Sequence, residues 1–301
     1  NIDVIILDKA RNAGGRICSK ISSDYCFNHG AQYLTAYSTF FSDILSLGYS
    51  QGKLKKWKIQ PNKYVYVGNP NMRSFMNWIS KDFDIRKNIE VKKISYNKLS
   101  KKFDIFSDEF HFTSDGVLLT PPAPQTSKLI KNLDNYLYEE INKVKFWPCW
   151  CVMLKFYKEV NFKFYRDKNN IISYAVSENY KLNNEKNNLI TIHASEDFSY
   201  KNVDSKKEIV ENKLIKTFIE NQKINFKDIE LIKSHRWLYS KVKKITNAET
   251  PFTSKLFPLG IAGDWHPGYN ECKNRGHGVR SEDAFLSGLT SAKLMIKNFI
   301  K

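Results

Sequence analysis

The chain opens on an apolar run of strand length, Ile2–Leu7, closed by an acid at Asp8, and Gly14-Gly15-Arg16 completes the stretch eight residues on. No other stretch constrains the fold as much. A strand ending in a carboxylate is what the second strand of a dinucleotide-binding unit needs, because that carboxylate accepts hydrogen bonds from a ribose. Paired glycines let the backbone approach a pyrophosphate, and a neighbouring arginine supplies a charge-assisted donor. Each element alone has a plainer reading: an acid at a surface strand end, and an ordinary tight turn.

The far end carries a matching signal. Phe257–Ala262 reads as a strand and Gly263-Asp264 closes it. A loop with further glycines at 268, 276 and 278 then leads to a helix from about Ser281. Phe285, Leu289, Ala292, Ile296 and Phe299 share one face of that helix. Glycine at 263 admits a phosphate or sugar-alcohol chain against the backbone, and Asp264 can accept from its hydroxyls. The amides of Ser281, Glu282 and Asp283 would sit at the positive end of the helix dipole. Acids also favour a first helical turn for purely structural reasons.

Between these ends, Met72, Phe75, Met76, Ile79 and Phe83 fall at the helical period, with Pro70 at a first-turn position after Asn69. A strand-like segment starts at Ile17, Ile89–Ile94 alternates apolar and charged residues, and Phe103–Phe106 and Phe110–Phe112 read as meander strands. Asp115–Thr120 is an apolar strand running into Pro121-Pro122-Ala123-Pro124, with a helix expected near Gln125. Strand, proline-rich turn and helix suit the carboxyl end of a sheet strand, where α/β ligand sites gather. From about Leu137 to Ser254 the texture changes. Trp147–Lys158, Ile171–Val176 and Leu189–Ala194 alternate, and a polar helix spans roughly Lys206–Asn221, which predicts an antiparallel sheet with a helix.

The net charge of +17 and pI near 9.4 raise nucleic-acid binding. Only eight of the 48 basic residues are Arg, and the 40 Lys are scattered along the whole length, whereas a groove reader concentrates Arg on one element. The lysines are read as a solvated surface that steers anionic ligands, and no nucleic-acid partner is expected. No apolar run approaches the roughly 20 residues of a membrane span. The first residues form no export signal, so a cytoplasmic protein without a membrane partner is expected. Cys18, Cys26, Cys149, Cys151 and Cys272 form no Cys-x-x-Cys pair and have no His at zinc spacing. They read as free thiols, with Cys149 and Cys151 on one face of a strand and no metal site.

The stretches DKARNAGGR (8–16), NHGAQYLTA (28–36), YVGNPNM (66–72), LLTPPAPQ (118–125), IHASEDFS (192–199), HRWLYS (235–240) and AGDWHPGYNECKNRGHGVRSEDAFLSGLTSA (262–292) occur in one particular order. That order resembles the renalase-like flavoproteins of the amine-oxidase-type FAD superfamily, essentially end to end. The resemblance implies an α/β chain: a Rossmann-type FAD-binding domain (1–36, 68–135 and 255–301) and a second α+β substrate domain on a mainly antiparallel sheet (37–67 and 136–254). It implies oxidation of isomeric dihydronicotinamide dinucleotides to NAD(P)+, with molecular oxygen reduced to hydrogen peroxide. An amine oxidase of the same superfamily and a non-catalytic nucleotide-binding derivative are the alternatives.

By position, the resemblance puts Asp8 on the adenosine ribose and Gly14, Gly15 and Arg16 at the pyrophosphate. His29, Gly30, Ala31 and Gln32 would lie near the isoalloxazine. Gly263, Asp264 and the Ser281–Asp283 amides would hold the ribityl chain and the pyrimidine edge. The substrate pocket would draw on His193, His235, Arg236, Trp237 and Trp265, with core packing as the plainer reading of the tryptophans and of His193. Arg236 is the candidate for an anionic ligand, because a guanidinium fork pairs with phosphate. No catalytic residue beyond the flavin is expected, since a dihydropyridine yields hydride directly and needs only positioning. Two departures stand out. Asn71 occupies a place where the family has glycine after proline, an exchange that Asn can support in a left-handed turn. The family's first strand and Gly-x-Gly-x-x-Gly loop do not precede Asp8, which predicts that the sequence is a truncated piece of a longer protein.

Overall fold

A computed structural model describes residues 2–167, 169–182, 188–246, 250–266 and 280–299. Strands and helices are numbered here along the chain. The described chain has the expected fold class: α/β, with parallel strand pairs in one part and a mainly antiparallel sheet in the other. It divides into two compact units. The first comprises residues 1–11, 83–146 and 241–301, and the second 12–82 and 147–240. These limits differ from the sequence-derived domains, because 12–36 and 68–82 cluster with the second unit while 136–146 and 241–254 cluster with the first.

In the first unit, β1 (Ile5–Asp8) runs parallel to β6 (Asp84–Lys87), with Asp8 opposite Lys87. A second parallel pair joins β10 (Val117–Leu119) to β16 (Leu259–Ile261). A three-stranded meander, β7 (Lys93–Asn97), β8 (Lys102–Phe106) and β9 (His111–Ser114), completes its sheets. The strand expected at Ile89–Ile94 thus lies four residues later, and β6 was hidden in a charged stretch without alternation. Helix α3 (Ala123–Ile130) begins two residues before the expected Gln125, inside the proline-rich segment, with Pro122 at its cap and Pro124 in its first turn. Together with α4 (Asn135–Asn142) it packs Ala123, Ile130, Leu137 and Ile141 against Leu119, Leu259 and Ile261. Each of the buried leucine and isoleucine side chains is worth about 1.5–3 kcal/mol. The unit ends in a long helix, Ser281–Phe299.

The second unit begins with a short hairpin, β2 (Lys20–Ile21) and β3 (Cys26–Phe27), in place of the longer strand expected from Ile17. Helix α1 (Thr39–Ser50) is capped by the Ser38 hydroxyl and leads into the hairpin of β4 (Leu54–Gln60) and β5 (Lys63–Gly68). Helix α2 (Met72–Ile79) is four residues shorter than the apolar period predicts. Its cap is Asn71, whose side chain accepts from the Ser74 amide, so Pro70 precedes the helix instead of opening it. Asn71 is also not in a left-handed turn. At φ −159° its backbone is extended, a conformation open to any residue.

The main sheet orders its strands β12 (Phe164–Arg166), β13 (Ile172–Ser177), β14 (Leu189–Ala194), β11 (Lys145–Phe156) and β15 (Ile229–Lys244). Two short helices, α5 (Glu178–Lys181) and α6 (Glu196–Lys201), follow β13 and β14, and α7 (Lys207–Gln222) is the predicted polar helix. Strand alternation sorts the sheet into two faces. Trp150, Val152, Leu154, Ala175, Ile190 and Ile192 pack with Val210, Leu214, Ile215 and Phe218 of α7. The opposite face carries Cys151 and His193, which are directly paired across β11 and β14, and Tyr174, which pairs with His193 from β13. One face is therefore closed by a helix, and the other holds the polar chemistry.

Candidate functional site

On that polar face, His29, His235 and Trp237 form one aromatic group in the second unit. His29 stacks on Trp237 with ring centroids 5.4 Å apart, and His235 meets both rings edge-on at 5.1 and 4.3 Å. The Trp237 indole donates to the backbone carbonyl of His29 at 2.9 Å, locking the indole to the loop that carries the imidazole. The Cys18 thiol lies 3.4 Å from His29 Nε2. Burial pushes the Cys18 pKa up to about 11, so the sulfur is a thiol and not a thiolate nucleophile. Burial, and then the charge of His235 when protonated and of Lys20, brings the His29 pKa down to about 3. Burial and then Lys181 bring His193 to about 4, and burial lowers His235 as well. At neutral pH the three imidazoles are uncharged.

A buried polar network, missed in the sequence, supports this surface. Glu178 and Lys181, both almost fully buried, pair at 2.7 Å. Glu178 also accepts from the Asn28 amide nitrogen at 3.1 Å, from Asn28 Nδ2 at 2.7 Å and from the Thr191 hydroxyl. Asn28 Oδ1 in turn accepts from Ser19 Oγ at 2.7 Å and from the Met72 amide at 2.9 Å, which ties the start of α2 to this core. Lys181 donates to Gln32 Oε1 at 2.8 Å, and the Gln32 amide nitrogen lies 3.4 Å from His193 Nε2. The signal for Glu178 and Lys181 was a charged turn after a strand, which is indistinguishable in sequence from a solvated one. Tyr174 was missed too. Its ring lies 5.9 Å from that of His193, and its buried hydroxyl has no hydrogen-bond partner among the described residues.

Arg236 is not part of this group. As the middle residue of His235-Arg236-Trp237 on one strand, it projects to the opposite face. There its guanidinium donates to the Val203 carbonyl, lies 3.8 Å from an Asp204 carboxylate oxygen and sits 5.7 Å over the Trp150 ring. Gln32, expected near a flavin ring, is engaged on both ends of its amide by protein groups.

Gly14 and Gly15 take φ of +113° and +51°, which Cβ-bearing residues rarely adopt, so the tight turn expected from the sequence is present. A Cβ on Gly15 meets nothing within 4 Å, whereas one on Gly14 would press on the Ile17 carbonyl at 2.9 Å and on Met76. Arg16 donates to the Ser240 carbonyl at 2.9 Å. Its own carbonyl accepts from the Ala31 amide at 2.8 Å, so the two loop segments run side by side. Gly30 is required by that approach, since a Cβ there would overlap the Arg16 carbonyl.

In the first unit, Asp8 stands at the carboxyl end of parallel strand β1, and its Oδ1 accepts from the Ala10 amide at 2.8 Å. Gly263 follows β16 and donates its amide to Ser287 Oγ at 3.0 Å, which joins the strand end to the Ser281–Phe299 helix. Asp264 and Glu282 are buried and Ser281 is half-buried. Asp283 accepts from the Arg280 amide at 2.8 Å, a capping contact that explains this acid structurally. Trp265 corrects an expectation. It is fully buried in the core of this unit and donates to the Pro121 carbonyl at 3.2 Å, so it is packing and not a pocket wall. Its indole is also what forbids a side chain at Gly263.

Among the described residues, Cys18, Cys26, Cys149 and Cys151 are free thiols. Cys272 and the glycines at 268, 276 and 278 lie outside the described residues. Among the described residues no cluster of His, Cys, Asp or Glu is arranged to hold a metal ion. No described helix is long and apolar enough to cross a membrane.

Known proteins fit this architecture. No protein-family profile matches the chain. A structure assigned as a protoporphyrinogen oxidase from Exiguobacterium sp. 255-15 superposes with a TM-score of 0.57 at 13% identity, over 80% of this chain and 54% of that one. The chain shares that fold. The cyclohexylamine oxidase of Brevibacterium oxydans IH-35A gives a TM-score of 0.53 at 10% identity, over 79% of this chain and 55% of that enzyme. The chain thus spans just over half the length of each. At these identities the likeness is one of fold.

Proposed function

We propose that this chain belongs to an FAD-dependent oxidoreductase that oxidises isomeric dihydronicotinamide dinucleotides to NAD(P)+, with oxygen as the final electron acceptor. The observation that carries this reading is the uncharged aromatic group of His29, His235 and Trp237 on the face of the main sheet opposite α7. Flat, polarizable and neutral side chains suit a planar heteroaromatic ring. Neutral imidazoles also suit a reaction that needs alignment more than proton transfer.

The residues fit FAD at three places. Gly15 offers an unobstructed turn for a pyrophosphate, and Arg16, which follows it, would bring a guanidinium to the phosphate oxygens. Asp8 at its parallel strand end would hold the adenosine ribose. Gly263, Asp264 and the first amides of the Ser281–Phe299 helix would hold the ribityl chain and the pyrimidine edge. His29, Gly30 and Ala31 would lie beside the ring, with His193 and His235 on the substrate's side. When bound, FAD supplies the hydride acceptor and passes the electrons to oxygen. The chain's part is to bind, orient and exclude water.

Anaerobic visible spectroscopy of the FAD-loaded protein tests this. Stoichiometric bleaching by isomeric dihydro-NAD(P) is expected, and bleaching only by amines would replace the substrate. That second reading has the fold shared with cyclohexylamine oxidase in its favour. A protein that purifies colourless and takes up no FAD would leave the non-catalytic nucleotide-binding derivative.

A further inference from the structure

We propose that the outward face of the β4–β5 hairpin is a docking surface for the anionic lipid headgroups of a bilayer. The hairpin has two faces of opposite chemistry. Trp57, Val65 and Val67 point inward and pack with Val176 of β13. On the other face Lys56 stands directly across from Tyr66, and Lys58 from Tyr64. Lys56, Lys58 and Tyr64 are exposed, the tyrosine at 59%. Helix α1 covers only the far end of this face, where Gly48 lies against Leu54. There its Tyr49 extends the surface: the ring lies 6.2 Å from that of Tyr66, and the Lys56 ammonium sits 4.9 Å from its centroid.

The charge of this patch is one-sided. From Ile44 to Ser80 the chain has Lys53, Lys55, Lys56, Lys58, Lys63 and Arg73 and no acid. Elsewhere lysines are offset by acids, as in the Lys207–Glu211 and Lys216–Glu220 pairs along α7. Neither Lys56 nor Lys58 forms an ion pair among the described residues. Asp43, the nearest preceding acid, is spaced so that it falls on another side of α1 from Tyr49.

Three features choose the occupant. The hairpin's cations are all lysines, point charges that answer to the diffuse field of an acidic leaflet, whereas recognition of single phosphates draws on the forked donors of Arg. The exposed rings are tyrosines, with an apolar body and a polar tip, the residue type held at headgroup depth. The face is a pleated strand surface and not a groove of the kind that tracks a single nucleic-acid strand. No described helix is long and apolar enough to cross a membrane, but a cationic and aromatic face lets a protein lie on one.

Co-sedimentation of the full chain with vesicles tests this, comparing phosphatidylcholine alone with phosphatidylcholine carrying about 30% phosphatidylserine. Binding is expected only to the anionic vesicles. Each lysine near the surface is worth about fivefold, so Lys56→Gln with Lys58→Gln should weaken binding about 25-fold. The control is Lys213→Gln with Lys216→Gln, exposed on α7, which packs on the Ala175 side of β13 while the hairpin packs on the Val176 side. It removes the same charge from the molecule and should change binding by less than about twofold, because the field falls off within a Debye length. Tyr64→Ser leaves the charge unchanged and should weaken binding severalfold. Equal losses in the two double variants would overturn the proposal, since the net charge of +17 would then act without a face. So would an indifferent Tyr64. Tighter capture of an oligothymidylate or a polyglutamate peptide than of vesicles, through the same two lysines, would overturn it in favour of an acidic chain. Should losing the Lys56–Tyr49 contact unfold the double variant, Lys58→Gln alone should still weaken binding about fivefold. The measurement needs neither flavin nor substrate, so its failure and that of the oxidase reading are separate.

Discussion

Replacing Lys181 by Met strands the Glu178 carboxylate in a buried site and removes the donor that orients Gln32. Breaking one side of a buried pair costs about 3–5 kcal/mol, so Lys181→Met should lower the urea midpoint strongly. Adding Glu178→Gln should recover part of the loss, and a double variant worse than the single would contradict the pairing. Titration of the histidines gives a second test. His29 and His193 have pKa values depressed to about 3 and about 4 in the folded chain, so below their unfolded value near 6.5 the unfolded chain binds the extra protons. Their contribution to stability is complete above about pH 6.5 and falls by about 1.4 kcal/mol per pH unit per histidine as the pH drops toward the folded values. Urea unfolding at pH 7, 6 and 5 should show that decline, and a flat profile would mean that these rings are solvated. Of the single residues, Trp237 and His29 were legible in the sequence as site candidates. Glu178 and Lys181 were not, because a charged turn carries no mark of burial.

At the scale of elements, the capping residues decide where helices begin. Asn71→Ala removes the side chain that accepts from the Ser74 amide and should cost about 0.5–2 kcal/mol, whereas Asn71→Gly should cost only a few tenths. Thermal melts of the two variants separate this extended cap from a left-handed turn, in which Gly would stabilise and Ala would destabilise. Asp283→Ala should cost about 1 kcal/mol by uncapping the last helix, since Asp283 holds the Arg280 amide. The alternating strands β11, β13 and β14 and helix α7 were readable because each rests on neighbours a few positions away. Strand β6 and the end of α2 were not. The first has no alternation, and the second stops at Ser80 although the apolar period runs on to Phe83.

At the scale of the whole molecule, the charge of +17 spread over scattered lysines predicts steering of an anionic dinucleotide. Under the proposed activity, kcat/KM should fall several-fold as salt rises from about 0.02 to about 0.2 M, with kcat unchanged, because screening shortens the reach of the field to about 10 Å or less. Stopped-flow flavin reduction measures this, and a response confined to kcat would remove steering. Local order along the chain was enough to reveal the strand closed by Asp8, the Gly14-Gly15 turn and the alternating strands of the main sheet. These depend on periods of two and of 3.6 residues and on the backbone freedom of glycine. Three-dimensional packing alone buried Trp265 as core and brought Asn28 and Gln32 to partners 150 and 149 residues away. Such pairings follow from the register and packing of strands distant in sequence, and no window of neighbouring residues contains them.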